Sequence, residues 1–473
     1  MRAFDELGLF WLPSHEEDAL SGRLQFDPKG DGLNLSLVGE FENAPDREDS
    51  QFRILGWRAN DRLTLNRCFS YGPNVRAPGI TESRYYANEM FVGHHFEREE
   101  LAFQSAAVRL SDLDSWVGIS GIVTENDYQH IESGSHPIYR MAFTPPAEEA
   151  YPFSRGRVKL GFGWKPGGDP IHGISFQQWP GIIIEYDQMQ AFDTAQRDVS
   201  RIQALVTLCL DAPTALDSLV LRRPDIQAEV LSGEDAGVPQ PIEFIATPIR
   251  YVDPQDRQPR HWHQMLLGFE ELGGMEAIAR WLDTSERFQR ALSSFISIKH
   301  AKQMFAENRF LNVTFAAEAF HRTTVGGSYM DEGTFNGLLS IYLENTPEKD
   351  HDWLRGRIEH GNEPPLRKRL QQLAARAGAA TRPLIGDKER WAYTLAQLRN
   401  ELTHMGNDSR VFEGADLVFV TESVYAVVRM CMLMDCGVSP EILTRKANSP
   451  TMMWYRERLK VAIARVRRQL ASQ

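Results

Sequence analysis

The hydrophobic period of this chain changes once, and that change limits its possible folds more than any other feature. Over about the first 250 residues, short runs alternate apolar and polar side chains, the period-two pattern of half-buried β-strands. Residues 19–26 (ALSGRLQF), 33–41 (LNLSLVGEF), 52–57, 62–68 and 140–143 read this way, as do 158–164 (VKLGFGW), 171–176, 181–186 (GIIIEY) and 241–251 (PIEFIATPIRY). Gly, Pro, Asp or Asn separates the runs. Trp57, Trp116, Trp164 and Trp179 lie in or beside them, where aromatic rings pack well on a pleated surface. Residues 192–209 (FDTAQRDVSRIQALVTLC) break the pattern, because Val199, Ile202, Leu205 and Val206 recur at helical spacing.

From about Gly273 the period becomes helical throughout. Ile278, Trp281, Leu282, Phe288, Leu292, Phe295 and Ile296 mark one long helix, or two joined end to end with a fresh N-cap in the DTSE stretch 283–286. Further helices are expected over 309–322, 335–344, 365–377, 388–403, 416–434 and 452–470. The fold class expected is α+β and multidomain. A mainly antiparallel β sandwich or barrel with an inserted helix covers residues 1–272, and an all-α bundle covers 273–473.

A chain of 473 residues is too long for one core and suits two domains. Its 42 % hydrophobic and 25 % charged residues exclude disorder as the main state and a fibrous architecture. No run approaches 18 uninterrupted apolar residues, so no membrane span is expected. The opening MRAFDELGLFWLPSHEED lacks the basic-then-apolar order of a secretory signal. Four cysteines (Cys68, Cys209, Cys431 and Cys436) build no disulfide framework, which fits a reducing cytoplasm. The net charge is −12 but unevenly spread. Residues 281–473 hold 27 Lys+Arg and 22 Asp+Glu, a net of +5, which leaves 25 and 42 for residues 1–280, a net of −17. The basic half is the better candidate for a polyanion partner.

Most chemistry-bearing motifs are missing. The sequence has no GxxxxGK[ST], no GxGxxG, no HExxH, no CxxC and no GxSxG. The glycine-rich run 161–168 (GFGWKPGG) lacks phosphate-cradle spacing and reads as a turn. His94-His95 and His261/His263 have no third and fourth ligand nearby, so neither a metal nor a cofactor is expected. One pattern remains, an Arg with a His five positions on. With 42 Arg and 13 His, chance supplies roughly one such pair. Two occur, Arg399/His404 and Arg355/His360, so context must separate them. Trp391, Leu395, Leu398 and Leu402 form an amphipathic stripe, with Arg399 about 40° from Leu395 at its edge. Gly406 follows as a helix cap would, which places His404 in the last turn, where the helix carbonyls favour imidazolium and suit a general acid. Arg355/His360 contains Gly356 and runs into GNEPP, a loop or frayed helix. On an ideal helix, positions five apart diverge by about 140°. Arg399 and His404 therefore converge only if the helix ends near Thr403, or if two copies share one cleft. Glu318, His321 and Arg322 share a face at i, i+3 and i+4. They read either as a surface ion pair with a packed His or as a shell positioning Arg399. The basic stretch 456–468 (RERLKVAIARVRR) is either a phosphate footprint or a solvated face, and 430–434 (MCMLM) is core packing.

Residues 9–13 (LFWLP), 20–24 (LSGRL), 33–35 and 39–41 carry a resemblance that continues in 310–312 (FLN), 318–322 (EAFHR), 369–373 and, most specifically, 399–404 (RNELTH). The sequence resembles the ApeA-type abortive-infection proteins of bacteria, in which an ApeA N-terminal domain precedes an ApeA-like HEPN domain. The resemblance implies that the C-terminal bundle is a HEPN domain and a metal-independent endoribonuclease used against phage. It also implies a homodimer through the HEPN domain, with two motifs facing one cleft. There the RNA 2′-hydroxyl attacks the adjacent phosphorus, giving a 2′,3′-cyclic phosphate or 3′-phosphate and a 5′-hydroxyl. His404 would shuttle protons, Arg399 would neutralise phosphoryl charge, and Asn400 would orient the backbone or His404. Transfer RNA or other host RNA is the implied substrate, a phage component the implied trigger of the N-terminal domain, and the bacterial cytoplasm the implied location. The residues leave other readings open. One is a non-catalytic HEPN dimerisation or RNA-binding scaffold with a ligand-binding β domain; another is a carbohydrate-binding sandwich fused to an adaptor.

Overall fold

The computed structural model describes residues 2–42, 52–74, 79, 81–126, 139–229, 235–248, 251, 253, 256–301, 303–403 and 412–471. They form two compact units. The first comprises Met1–Glu270 and Gly274–Leu282, the second Glu271–Gly273 and Asp283–Gln473.

In the first unit, β1 (Phe4–Trp11), β2 (Leu20–Asp27), β3 (Gly32–Val38), β4 (Phe52–Arg58), β5 (Asp61–Asn74) and β6 (Glu82–Val92) close an antiparallel barrel in the order β6-β3-β2-β1-β4-β5, back to β6. The period-two pattern sets which face turns inward. Gly22, Leu24 and Phe26 are buried, while Ser21, Arg23, Gln25 and Asp27 face out. Phe10, Leu35, Ile54, Leu65, Met90 and their neighbours fill the interior, so the barrel is packed solid. Arg23 pairs outside with Asp5 at 2.5 Å. Sandwich and barrel were both compatible with the sequence, and β6 decides for a barrel. Along one edge β6 pairs with β5 (Leu63↔Val92 to Asn74↔Glu82). Its other edge is shared, residues 82–87 with β3 and 89–92 with a later strand.

That later strand leads into a second sheet. Its members are β7 (Ala102–Leu110), β10 (Glu149–Phe153), β11 (Gly156–Asp169), β12 (Gly173–Ala191), β13 (Leu216–Arg222) and β16 (Ile242–Ala246), in the order β6-β16-β13-β7-β12-β11-β10. Small hairpins pair β8 (Ile122–Asn126) with β9 (Tyr139–Phe143), and β14 (Gln227–Glu229) with β15 (Asp235–Pro239). Trp116 lies in the short helix α1 (Leu113–Val117). The inserted helix is α2 (Phe192–Leu210); it buries Val199, Ile202, Leu205 and Val206 and packs on β7 and β12. Phe91, Phe103, Phe192 and Phe244 form an aromatic layer there. Beneath it, Asp198 accepts from Arg155 (2.6 Å), Arg201 (3.0 Å) and Tyr186 (3.0 Å). Two expectations change. Residues 171–176 and 181–186 belong mostly to one strand, β12. The run 161–168 is strand β11 rather than a turn, registered from Gly161↔Gly181 to Gly168↔Ile174. Glycine is required at 163 by packing, since a Cβ would lie 2.3 Å from Nε1 of Trp179 on the paired strand.

Two helices, α3 (Phe269–Leu272) and α4 (Gly274–Thr284), carry the chain across the division, and within the first unit Trp281 Nε1 donates to the Arg201 carbonyl (2.8 Å). The segment read as one long helix or two is two. A 3₁₀ turn, Ser285–Phe288, separates α4 from α5 (Gln289–His300). The second unit continues with α6 (Ala306–Thr324), α7 (Glu332–Glu344), α8 (His351–Ile358), α9 (Leu366–Ala377), α10 (Arg382–Ile385), α11 (Lys388–Thr403), α12 (Gly414–Asp435), α13 (Pro440–Ala447) and α14 (Met453–Ala471). That is ten α-helices from α5 onward among the described residues; α8, α10 and α13 were not expected, because such short helices have too few turns to show a period. Helix α12 packs against α6, α9 and α14. It is long and apolar enough to cross a membrane by length and composition, yet 78 % of its most apolar window is buried inside the protein, where Met430, Cys431 and Met432 are core.

Candidate functional site

Helix α11 carries the Arg/His motif, and its local sequence explains its placement. The Asp387 carboxylate accepts from the Arg390 backbone N–H at 2.8 Å and caps the first turn. Trp391, Leu395, Leu398 and Leu402 are buried as one stripe, and α11 packs on α6, α9 and α14. Trp391 Nε1 donates to Ser423 Oγ on α12 at 2.9 Å, which fixes the helix about its axis. Arg399 is therefore held half-buried at the edge of the stripe, with Asn400 beside it exposed. The Thr403 hydroxyl donates to the Arg399 and Asn400 carbonyls (2.9 and 3.2 Å), satisfying two carbonyls at the end of the helix. Among the described residues the Arg399 guanidinium has no ion pair or hydrogen bond. The last described residue of α11 is Thr403, so His404 and Gly406 lie outside the described residues.

The second triplet sits on α6. His321 is fully buried, and its Nε2 pairs with Gln372 Oε1 on α9 at 2.9 Å. Burial pushes its pKa below the ordinary imidazole value, against the Gln372 hydrogen bond, which raises it. Arg322 is exposed and donates to Glu363 Oε2 at 2.8 Å; buried Arg369 donates to the same oxygen at 2.5 Å and to the Pro364 carbonyl at 2.7 Å. The two guanidiniums, Arg322 foremost, hold the Glu363 carboxyl below the usual range. Glu318 is half-buried and makes no ion pair among the described residues. The structure thus brings Arg322, Arg369 and Glu363 together and joins His321 to Gln372. It records no hydrogen bond from Glu318, His321 or Arg322 to Arg399 among the described residues. Glu363, Arg369 and Gln372 were not anticipated as partners. Glu363 stands in GNEPP, where its neighbours signal only a loop, and no local pattern points back to α6.

The other candidates find ordinary places. Arg355 lies on α8, which buries no residue, and His360 follows in a turn with Nδ1 3.4 Å from Glu363. His95 Nε2 meets the Gly56 carbonyl at 2.9 Å, and the His261 and His263 rings stack. Among the described residues no three His, Cys, Asp or Glu side chains gather as a metal would require. The basic stretch on α14 is partly structural. Arg456 donates to the Ala447 and Ser449 carbonyls (2.7 and 3.0 Å), and Arg465 reaches Asp416 at 3.5 Å, while Arg467 and Arg468 are exposed.

Comparison with known proteins agrees with this organisation. The model for ApeA N-terminal domain 1 matches residues 5–281, well over half of the chain, and the model for the Apea-like HEPN domain matches residues 311–442. No curated protein and no solved structure matches. The HEPN match begins within α6 and ends within α13, so it includes the whole of α11. The first match covers nearly all of the barrel-bearing unit and the second lies inside the helical unit, so this chain is a member of the ApeA N-terminal domain 1 family that also carries an Apea-like HEPN domain.

Proposed function

We propose that the chain is an anti-phage abortive-infection effector whose helical unit is a metal-independent endoribonuclease. The observation that carries this reading is Arg399. It is held half-buried at the edge of a packed helix inside the HEPN match, beside exposed Asn400, with no ion pair among the described residues. A structural arginine in such a place is normally paired; an uncommitted one is available to a phosphate. In the proposed reaction the RNA 2′-oxygen bonds to the adjacent phosphorus and the P–O5′ bond breaks. The 2′-hydroxyl proton leaves to a base and the 5′-oxygen gains one, with His404 moving protons and Arg399 stabilising the phosphoryl oxygens. The product ends are a 2′,3′-cyclic phosphate and a 5′-hydroxyl.

The active form in this reading is a homodimer through the helical unit, with host RNA, transfer RNA foremost, as substrate. Helix α7 supports the dimer. It is rich in apolar residues yet buries none; Leu338, Ile341 and Tyr342 stand exposed, as does Trp353 on α8, which packs on α7. The first unit is the sensor or restraint, answering a phage component. The deciding experiment maps RNA ends in infected cells. Wild type should show new 5′-hydroxyl ends with growth arrest, and Arg399→Ala and His404→Ala should lose both. Unchanged cleavage in both variants would remove the reading and leave an RNA-binding scaffold.

A further inference from the structure

The middle of α11 borders a groove of about 800 Å³ between α9, α11 and α14, lined by Arg367, Arg390, Tyr393, Gln397 and Arg467. Tyr393 is 49 % exposed, and the Arg367 guanidinium lies over its ring, 5.2 Å from the centroid. None of the three arginines has an ion pair among the described residues. The groove's acids are differently placed. Asp387 caps α11, Glu389 sits in the first turn where the helix dipole favours an anion, and Glu401 has a partner of its own. Among the groove's charged side chains, the three arginines and Glu389 have neither an ion pair nor a side-chain hydrogen bond among the described residues, three cations to one acid.

We propose that this groove holds an unpaired stretch of the RNA strand beyond the cleavage point; the class of ligand rests on the ribonuclease reading. An aromatic ring with a guanidinium layered on it is a flat surface on which unpaired bases stack. Arg390 and Arg467 meet backbone phosphates through paired N–H donors. Gln397 offers a donor and an acceptor to a base edge. Asn400 lies seven positions from Tyr393, about 20° around α11 and about 10 Å along it. That distance matches about three stacked nucleotides. A strand laid on this face therefore reaches the motif end of the helix.

The test uses the full-length Arg399→Ala protein, titrated by fluorescence anisotropy with an unstructured, labelled RNA of about 12 nucleotides. Adding Tyr393→Ala should weaken binding about 5- to 100-fold, whereas Tyr393→Phe should bind within about twofold of its parent. Arg390→Ala with Arg467→Ala should lower the slope of log affinity against log salt by about 1.4, or about 0.7 for each phosphate that is no longer neutralised. The groove proposal is overturned if the parent does not bind the oligonucleotide, if these variants bind like the parent, or if duplex RNA of the same length competes equally well. The catalytic reading fails separately. If wild type cuts no RNA while binding still depends on Tyr393, the groove stands and the nuclease does not.

Discussion

Arg399 and His321 show how differently two polar side chains can be held within one helical unit. Arg399 sits half-buried at the edge of the α11 stripe. His321 is sealed, and burial opposes its charged form. The sign for stability follows from that depressed pKa. The unfolded chain, with an ordinary imidazole near about 6.5, takes up the proton first. The contribution of neutral His321 is therefore complete above that value and shrinks as pH falls through and below it. Denaturant midpoints from pH 7.5 to 5 should decline for wild type, and His321→Gln should flatten the decline. An equal slope in the variant would assign the acid sensitivity elsewhere. Asp198 is the corresponding residue in the first unit, fully buried between Arg155 and Arg201. Asp198→Ala removes the buried carboxylate that Arg155, Arg201 and Tyr186 share and should cost about 3–5 kcal/mol, read from urea unfolding followed by tryptophan fluorescence.

At the level of elements, α7 stands apart from the other long helices. Asp331 caps it by accepting from the Thr334 N–H, and Gly333 and Gly337 lie one turn apart, yet none of its residues is buried. Helix α11 instead owes its order to a buried stripe and α12 to burial on every face over residues 423–433, and such packing is the ordinary source of helix stability in proteins. An exposed apolar helix calls for a covering surface, which the proposed dimer would supply. Leu338→Glu with Ile341→Glu should convert a dimer to a monomer in sedimentation velocity and lower RNA cleavage, without lowering the thermal midpoint of the monomer. A variant that stays dimeric would move the interface to another face. In the first unit the corresponding element is β6, which serves the barrel along its length on one edge and two different strands on the other.

For the whole molecule, the charge division matches the division of labour proposed. The −17 of residues 1–280 disfavours RNA, while the +5 of residues 281–473 accompanies Arg367, Arg390 and Arg467, which have no ion pair among the described residues. The chemistry proposed for the helical unit uses side chains alone. RNA cleavage by purified protein should persist in excess EDTA at the rate seen without it, measured by gel resolution of end-labelled RNA. Loss of cleavage restored by a divalent cation would overturn the mechanism assigned to Arg399 and His404.

The sequence by itself determined the partition into β and α parts, the alternation of β2, the helix α2, and the α11 stripe with Arg399 at its edge. Each rests on a local period, and side chains a few residues apart are bound to one face by backbone geometry. Tertiary structure decided the rest. It chose barrel over sandwich through the shared edge of β6. It turned the glycine-rich run 161–168 into a strand, where Gly163 admits the Trp179 ring from the paired strand. It brought Glu363 to Arg322 and Arg369, and it set Arg367 and Arg467 beside Tyr393 from separate helices. Such meetings depend on which surfaces pack, and no stretch of sequence carries the identity of its distant neighbour.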